Sequence, residues 1–153
     1  MSGDTNDGST NYSDDESALT HVDDSGDAQM VDVSQKPDQT RQARARGTLI
    51  LRPETADAIR DDEVDKGDVL ATARIGAIQA VKHTWETVPM CHQIPITNVD
   101  TDFEVGEAAV ALTVTVETTG KTGCEMEALE GVTTGLNVAW GTVKAAEKGD
   151  DGR

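Results

Sequence analysis

The chain has 153 residues, enough for one domain with a sizeable core and too few for two. It carries 29 acidic against 13 basic residues, a formal charge of -16, which argues against nucleic acid or an anionic membrane surface as the main partner. No apolar run approaches a signal-peptide core or a membrane span, so a soluble protein that stays in the cytoplasm is expected.

Residues 1–18, MSGDTNDGSTNYSDDESA, are low-complexity Asp, Ser, Gly, Asn and Thr with almost nothing to bury, and read as a disordered acidic tail. Residues 1–28 hold Asp4, Asp7, Asp14, Asp15, Glu16, Asp23, Asp24 and Asp27 with no Lys or Arg. The acid excess in the remainder repels itself in dilute buffer but is tolerated at molar salt, where the screening length falls to about 3 Å. A halophilic source fits this pattern, and so does an acidic mesophilic protein. A single domain is expected over 19–148, with 149–153 a short end.

After the tail, a short apolar alternation passes a turn at Pro37 and enters a strand around Thr48 to Leu51. Pro53 suits the first turn of a short helix, PETADAIR. From Gly67 to about Thr87, the recurrence of Ala71, Ile75, Ile78 and Trp85 marks an amphipathic helix ended by Pro89. NVDTDFEV and VALTVTVE alternate in period two around Gly106-Glu107, which predicts a hairpin with one wet face. Past Gly123, Leu129, Val132, Leu136, Ala139, Val143 and Ala146 form the core stripe of a second long helix running to about Lys148. Gly131, Gly135 and Gly141 inside it are expected to permit close helix packing. Two helices on one face of an antiparallel or mixed sheet make an α+β layer.

Gly120-Lys121-Thr122 looks like the end of a phosphate-binding loop, but Thr115 stands where the first glycine of such a loop is needed. A triphosphatase is therefore disfavoured. Cys91 and Cys124 show no C-x-x-C spacing and read as free thiols in a reducing compartment, or simply as small buried hydrophobes. Adjacent Cys91 and His92 seldom both ligate one zinc, so no metal site is expected. Between Pro89 and Pro95 they form either a rigid segment aiming an imidazole at a ligand or a satisfied histidine in a tight turn. Glu125 and Glu127 suit the positive end of a helix, and one of them is also placed to accept paired N–H groups of a ligand's guanine-like edge.

KGDVLATARI, KHTWETVPMCHQIPIT and TTGKTGCEMEAL, in this order after MVDVSQKPDQTRQARARG, resemble the cyclic pyranopterin monophosphate synthase family, the MoaC-type accessory proteins of molybdenum cofactor biosynthesis. The resemblance covers about residues 19–148. It implies a ferredoxin-like α+β fold, assembly as a homo-oligomer of the hexamer-of-dimers type, an active site at a subunit interface, and no metal or organic cofactor. The implied substrate is a cyclised GTP derivative made by a radical S-adenosylmethionine partner enzyme, rearranged to cyclic pyranopterin monophosphate with loss of pyrophosphate. By resemblance Lys66 and Lys144 are the catalytic lysines. Met90, Cys91 and His92, with Glu125, Met126 and Glu127, match the substrate-binding segments. Arg41, Arg44, Arg74 and Lys121 are weaker candidates for phosphate contacts.

The chain departs from the family at WGTVK, where Gly141 occupies the position of an aspartate assigned to catalysis. The family pattern also continues into a further strand and a basic glycine-rich tail, whereas this sequence reads EKGDDGR at its end. Two expectations stand at this point, an active lyase or a catalytically weakened paralogue serving as a nucleotide-binding or structural subunit.

Overall fold

The computed structural model describes residues 28–32, 34, 37–64 and 67–148. The stretch expected as a tail over 1–18, Lys66 and the end at 149–153 lie outside the described residues. The chain divides into residues 1–31 and 32–153, and the second unit holds the fold.

The strongest alternation in the sequence builds the centre of the sheet. In β3 (Ala109–Gly120), Val110, Leu112, Val114, Val116 and Thr118 turn to one face and are fully buried. Burying one such apolar side chain contributes roughly 1.5–3 kcal/mol. β2 (Ile96–Val105) runs antiparallel to β3 with Val105 opposite Val110, and the Gly106 N–H donates to the Ala109 carbonyl at 2.8 Å to close the expected hairpin. β1 (Gln39–Ile50) pairs along the other side of β3, giving a sheet of order β1-β3-β2 in which every pairing is antiparallel.

β1 starts nine residues before the strand expected around Thr48. Its first nine residues, QTRQARARG, are mostly of types with little strand preference, and β propensity measures fit to a half-buried surface more than backbone preference. Here that fit is supplied by α4 (Glu125–Glu147). A Cβ at Gly47 of β1 would lie 2.7 Å from Val132 Cγ1 and 2.9 Å from Leu136 Cδ1, so the glycine lets helix and strand approach.

The other helices are α1 (Pro53–Arg60), α2 (Val69–Lys82) and α3 (Thr84–Thr87). Pro53 opens α1 as expected, and the Asp68 carboxylate caps α2 by accepting from the Ala71 N–H at 3.0 Å. The single helix expected over 67–87 is interrupted at His83. The Thr84 hydroxyl donates to the Ala80 carbonyl at 2.8 Å, and α3 adds one turn. This kind of back-bonding bends helices.

The expected stripe of α2 is out of phase. Val69, Ala73, Ala77 and Val81 are buried, while Ala71, Ile75 and Trp85 are exposed. Close contact between α2 and α4 selects small side chains for the buried face, so residue size misleads a reading that weights large apolar groups. The same effect corrects α4, where Ala128, Gly131, Val132, Gly135, Ala139 and Val143 are buried but Leu129 and Ala146 are exposed.

Gly131 and Gly135 serve the packing expected of them. A Cβ at Gly131 would stand 2.8 Å from Val81 Cγ2, and one at Gly135 would stand 2.5 Å from Leu112 Cδ2 and 3.1 Å from Ala77 Cβ. Gly141 does not, because a Cβ there meets nothing within 4 Å. Gly135→Ala should therefore destabilise the chain by about 1 kcal/mol, overpacking outweighing the gain in helix propensity, while Gly141→Ala should stabilise it by about 1 kcal/mol. Urea titrations at constant salt would show midpoints moving in opposite directions.

The helices lie on one face of the sheet, with α2 against α4 and β2, and α4 against β1 and β3. The order β1-α2-β2-β3-α4, with β3 between β1 and β2, is a ferredoxin-like α+β arrangement. Among the described residues no helix is long and apolar enough to cross a membrane.

Candidate active site

The segment between α3 and β2 is held at both ends. After Pro89 the backbone turns through Met90, whose φ of 65° is in the left-handed region that costs a non-glycine residue about 1–2 kcal/mol. Cys91 follows, and its thiol donates to Oε1 of Glu127 at 3.6 Å. At the far end, the buried Thr118 hydroxyl of β3 donates to the Pro95 carbonyl. His92 lies between these anchors and is half-buried. A strained residue kept in place by such anchors is a mark of a positioned site.

Glu127, in the first turn of α4, is only 4% exposed. Glu125 and Met126 precede it and are exposed. Glu127 faces inward onto Cys91, while Glu125 bends its carboxylate back over Gly123. Burial raises the Glu127 carboxyl above the ordinary carboxylate range, against the lowering effect of its own backbone N–H and of the Cys91 thiol. Burial, then the neighbouring Glu127 charge, push the Cys91 thiol up to about 11. Burial thus shifts both groups of the pair toward their protonated forms.

The raised carboxyl has a consequence for stability. The native chain keeps a proton that the unfolded chain releases near pH 4.3, so stability falls as pH rises from that value through the native one. Glu127→Gln removes this slope. Relative to wild type, the variant should gain stability between pH 4 and pH 7, as read by chemical denaturation at both pH values.

Cys124 is buried, and its thiol donates to the Val116 carbonyl at 3.4 Å. Burial raises its pKa, so it is the small interior hydrophobe that the blandest reading allowed. Cys91 is only half-buried and belongs with Glu127 instead. Both cysteines are free. Among the described residues no group of three or more His, Cys, Asp or Glu could hold a metal.

The weaker candidates separate. Arg41 pairs across the ladder with Thr118, shares its face of the sheet, and has a buried Nε with no hydrogen-bond partner among the described residues. Arg44 lies on the opposite face, donating to Thr115 Oγ1 at 3.3 Å, and does not converge with the site. Arg74 donates to Thr101 Oγ1 at 2.9 Å and stacks over Phe103, which fixes it between α2 and β2. Lys121 pairs with Asp38 at 3.9 Å. Thr118 escaped the reading of single motifs, although its parity with Val110 to Val116 places it on the buried face.

Lys144 is exposed near the other end of α4. Seventeen residues separate it from Glu127 on the same helix, about 25 Å at 1.5 Å per residue. Val64 and Val69 pack in the same apolar cluster as Val143. Met90, Cys91, His92 and Glu127 are thus gathered at one end of the molecule, and Lys144 stands at the other.

Comparison with known proteins gives the family. Residues 30–151 match the MoaC family. The chain is 73% identical over 139 residues to a probable cyclic pyranopterin monophosphate synthase of Natronomonas pharaonis, a match covering 91% of this chain and 87% of the relative. It is 70% identical to one from Halobacterium salinarum, covering 91% and 85%. A probable cyclic pyranopterin monophosphate synthase accessory protein of Methanothermobacter thermautotrophicus is 48% identical over 88% of this chain and 84% of its own length. With a family match over 30–151 and such identity over nine-tenths of its length, the protein belongs to the MoaC family.

Proposed function

We propose that this protein is a lyase of molybdenum cofactor biosynthesis, a cyclic pyranopterin monophosphate synthase. It converts 3',8-cyclo-7,8-dihydro-GTP into cyclic pyranopterin monophosphate and releases pyrophosphate, a phosphorus-oxygen lyase reaction. The observation that carries the reading is the anchored Met90-Cys91-His92 segment set against buried Glu127, with both segments matching those of a family whose relatives bear this name.

In this reading His92 and the EME turn of Glu125, Met126 and Glu127 hold the purine-derived ring. A carboxylate or carboxyl group there is suited to paired N–H groups. Lys66 and Lys144 move protons and offset the charge of the departing pyrophosphate. One lysine serves as the base in this reading while the other offsets the phosphate charge.

Catalytic lysines must touch the ring that the binding segment holds, because proton transfer needs hydrogen-bond contact. The roughly 25 Å along α4 prevents this within one copy. The working enzyme is therefore a homo-oligomer in which Lys144 of one copy meets the Cys91-Glu127 end of another. A radical S-adenosylmethionine GTP cyclase supplies the substrate. Two free thiols suit a reducing cytoplasm, and the acid excess together with haloarchaeal relatives suits work at high salt.

The test is turnover of the purified chain on enzymatically prepared cyclised GTP at molar salt, following pyrophosphate release and pterin fluorescence together. Product in both channels is expected. A folded oligomer that yields neither would overturn the reading.

A further inference from the structure

The inward face of β3 alternates strictly, and its last member breaks the apolar series. Val110, Leu112, Val114 and Val116 are followed by Thr118, which is equally buried. A valine would fill the same volume and suit a strand as well. A hydroxyl taken out of water is costly unless it is bonded, and Thr118 is bonded, donating to the Pro95 carbonyl.

Pro95 is the point at which the ladder of β2 gives out. Ile96 pairs with Thr118, and the register then shifts so that Asn98 pairs with Glu117, leaving Thr97 as the extra residue of a bulge. Pro95 has no N–H with which to extend the pairing. Ile94 and Ile96 pack against the core cluster, but apolar contact is non-directional whereas a hydrogen bond fixes direction. Two such bonds hold the segment that carries His92, Cys91 to Glu127 at the near end and Thr118 to Pro95 at the far end. Among the described residues none hydrogen-bonds the His92 imidazole, so these two ends set its aim.

We infer that Thr118 is a positioning residue for the reaction, acting through the Pro95 carbonyl to keep His92 and the Cys91-Glu127 pair in the one arrangement that meets the substrate. Thr118 is fully buried and does not touch the substrate itself. Its effect is geometric, and a displacement of about 1 Å at a site group lowers a rate by up to about 10²-fold. The hydroxyl, not the bulk of the side chain, is the functional part.

The inference rests on the catalytic reading for its effect on turnover and on the fold alone for the fastening of the segment, so the two are measured separately. Thr118→Val keeps the volume and removes the donor, and Thr118→Ser keeps the donor. Both would be compared with wild type in turnover on cyclised GTP and in alkylation by iodoacetamide, with the modified cysteine located by mass spectrometry. Thr118→Val should lose about tenfold in kcat. Its Cys91 should alkylate about tenfold faster, because a thiol released from the buried Glu127 contact ionises more readily. Cys124 is wholly buried, reports unfolding of the whole chain, and should keep its wild-type rate. Thr118→Ser should stay within about threefold of wild type in both measurements, since it carries the same donor. Should Thr118→Val fail to fold, Thr118→Ala removes the donor in its place.

An unchanged Cys91 rate in the variants without the donor, acceleration of both cysteines together, or Thr118→Ser as impaired as Thr118→Val would each overturn the inference. Faster Cys91 with full turnover would overturn it too, since the pose of the segment would then not matter to the reaction. A wild type without turnover whose Cys91 still responds as expected would overturn the catalytic reading and support the fastening.

Discussion

An equimolar mixture of Lys144→Ala and His92→Ala chains, unfolded and refolded together, should regain about a quarter of wild-type turnover although each variant alone is inactive. The expectation follows from α4. It carries Lys144 near one end and, at the other, Glu127 in contact with the Cys91 thiol beside His92. If each site draws its lysine from one copy and its imidazole from another, half of the pairings are mixed. One of the two sites in each mixed pair is then intact, a consequence of two-fold symmetry. Each variant alone should lose at least about 10²-fold in kcat, the usual minimum for a proton-moving or substrate-orienting group. His92→Ala leaves the buried Glu127 and its thiol partner untouched, so folding is not at risk. Two affinity tags would report the fraction of mixed oligomers. Mixed oligomers without activity would place the whole site in one copy and remove the need for an interface.

Legibility of the sequence depended on which physical signal each element carried. The β2-β3 hairpin was plain because Val99, Phe103 and Val105 on one strand and Val110 to Val116 on the other alternate strictly, and one face of the pair is wet. β1 was legible only at its end. Ala43, Ala45 and Gly47 pack under α4, and small residues in a strand carry no hydrophobic signature. The phase of α2 failed for the same reason, since Ala73 and Ala77 make the contact while Ile75 faces out. Within the site, the Cys91-His92 and Glu125-Glu127 segments were legible as motifs. Their meeting was not, because the contact spans residues 91 and 127 and depends on Thr118 anchoring Pro95. The separation of Lys144 from Glu127 was legible, because the core stripe past Gly123 already predicted one long helix carrying both, and α4 is that helix.

Gly141→Asp should raise kcat by about 10²-fold, the lower range for a positioned acid or base, and it tests the departure of this chain from its family. Position 141 precedes Lys144 by one turn of α4, so the two side chains share a face of the helix. A Cβ there meets nothing within 4 Å, which leaves room for a carboxylate without disturbing the packing at Gly135. Helix propensity favours the change by a few tenths of a kcal/mol, because glycine is the poorest helix former apart from proline. A carboxylate beside Lys144 would hold its ammonium in place and accept or return a proton. Gly141→Asn separates these effects, since it fills the same space and orients the lysine by hydrogen bonding but moves no proton at neutral pH. If Asp raises turnover and Asn does not, position 141 is where the reaction lacks an acid. If the two variants match wild type, Lys66 and Lys144 carry the proton transfers unaided, and the glycine is a neutral departure from the family pattern. A gain with Asn equal to that with Asp would assign the effect to positioning of Lys144, and the pH profile of kcat would then keep its wild-type shape.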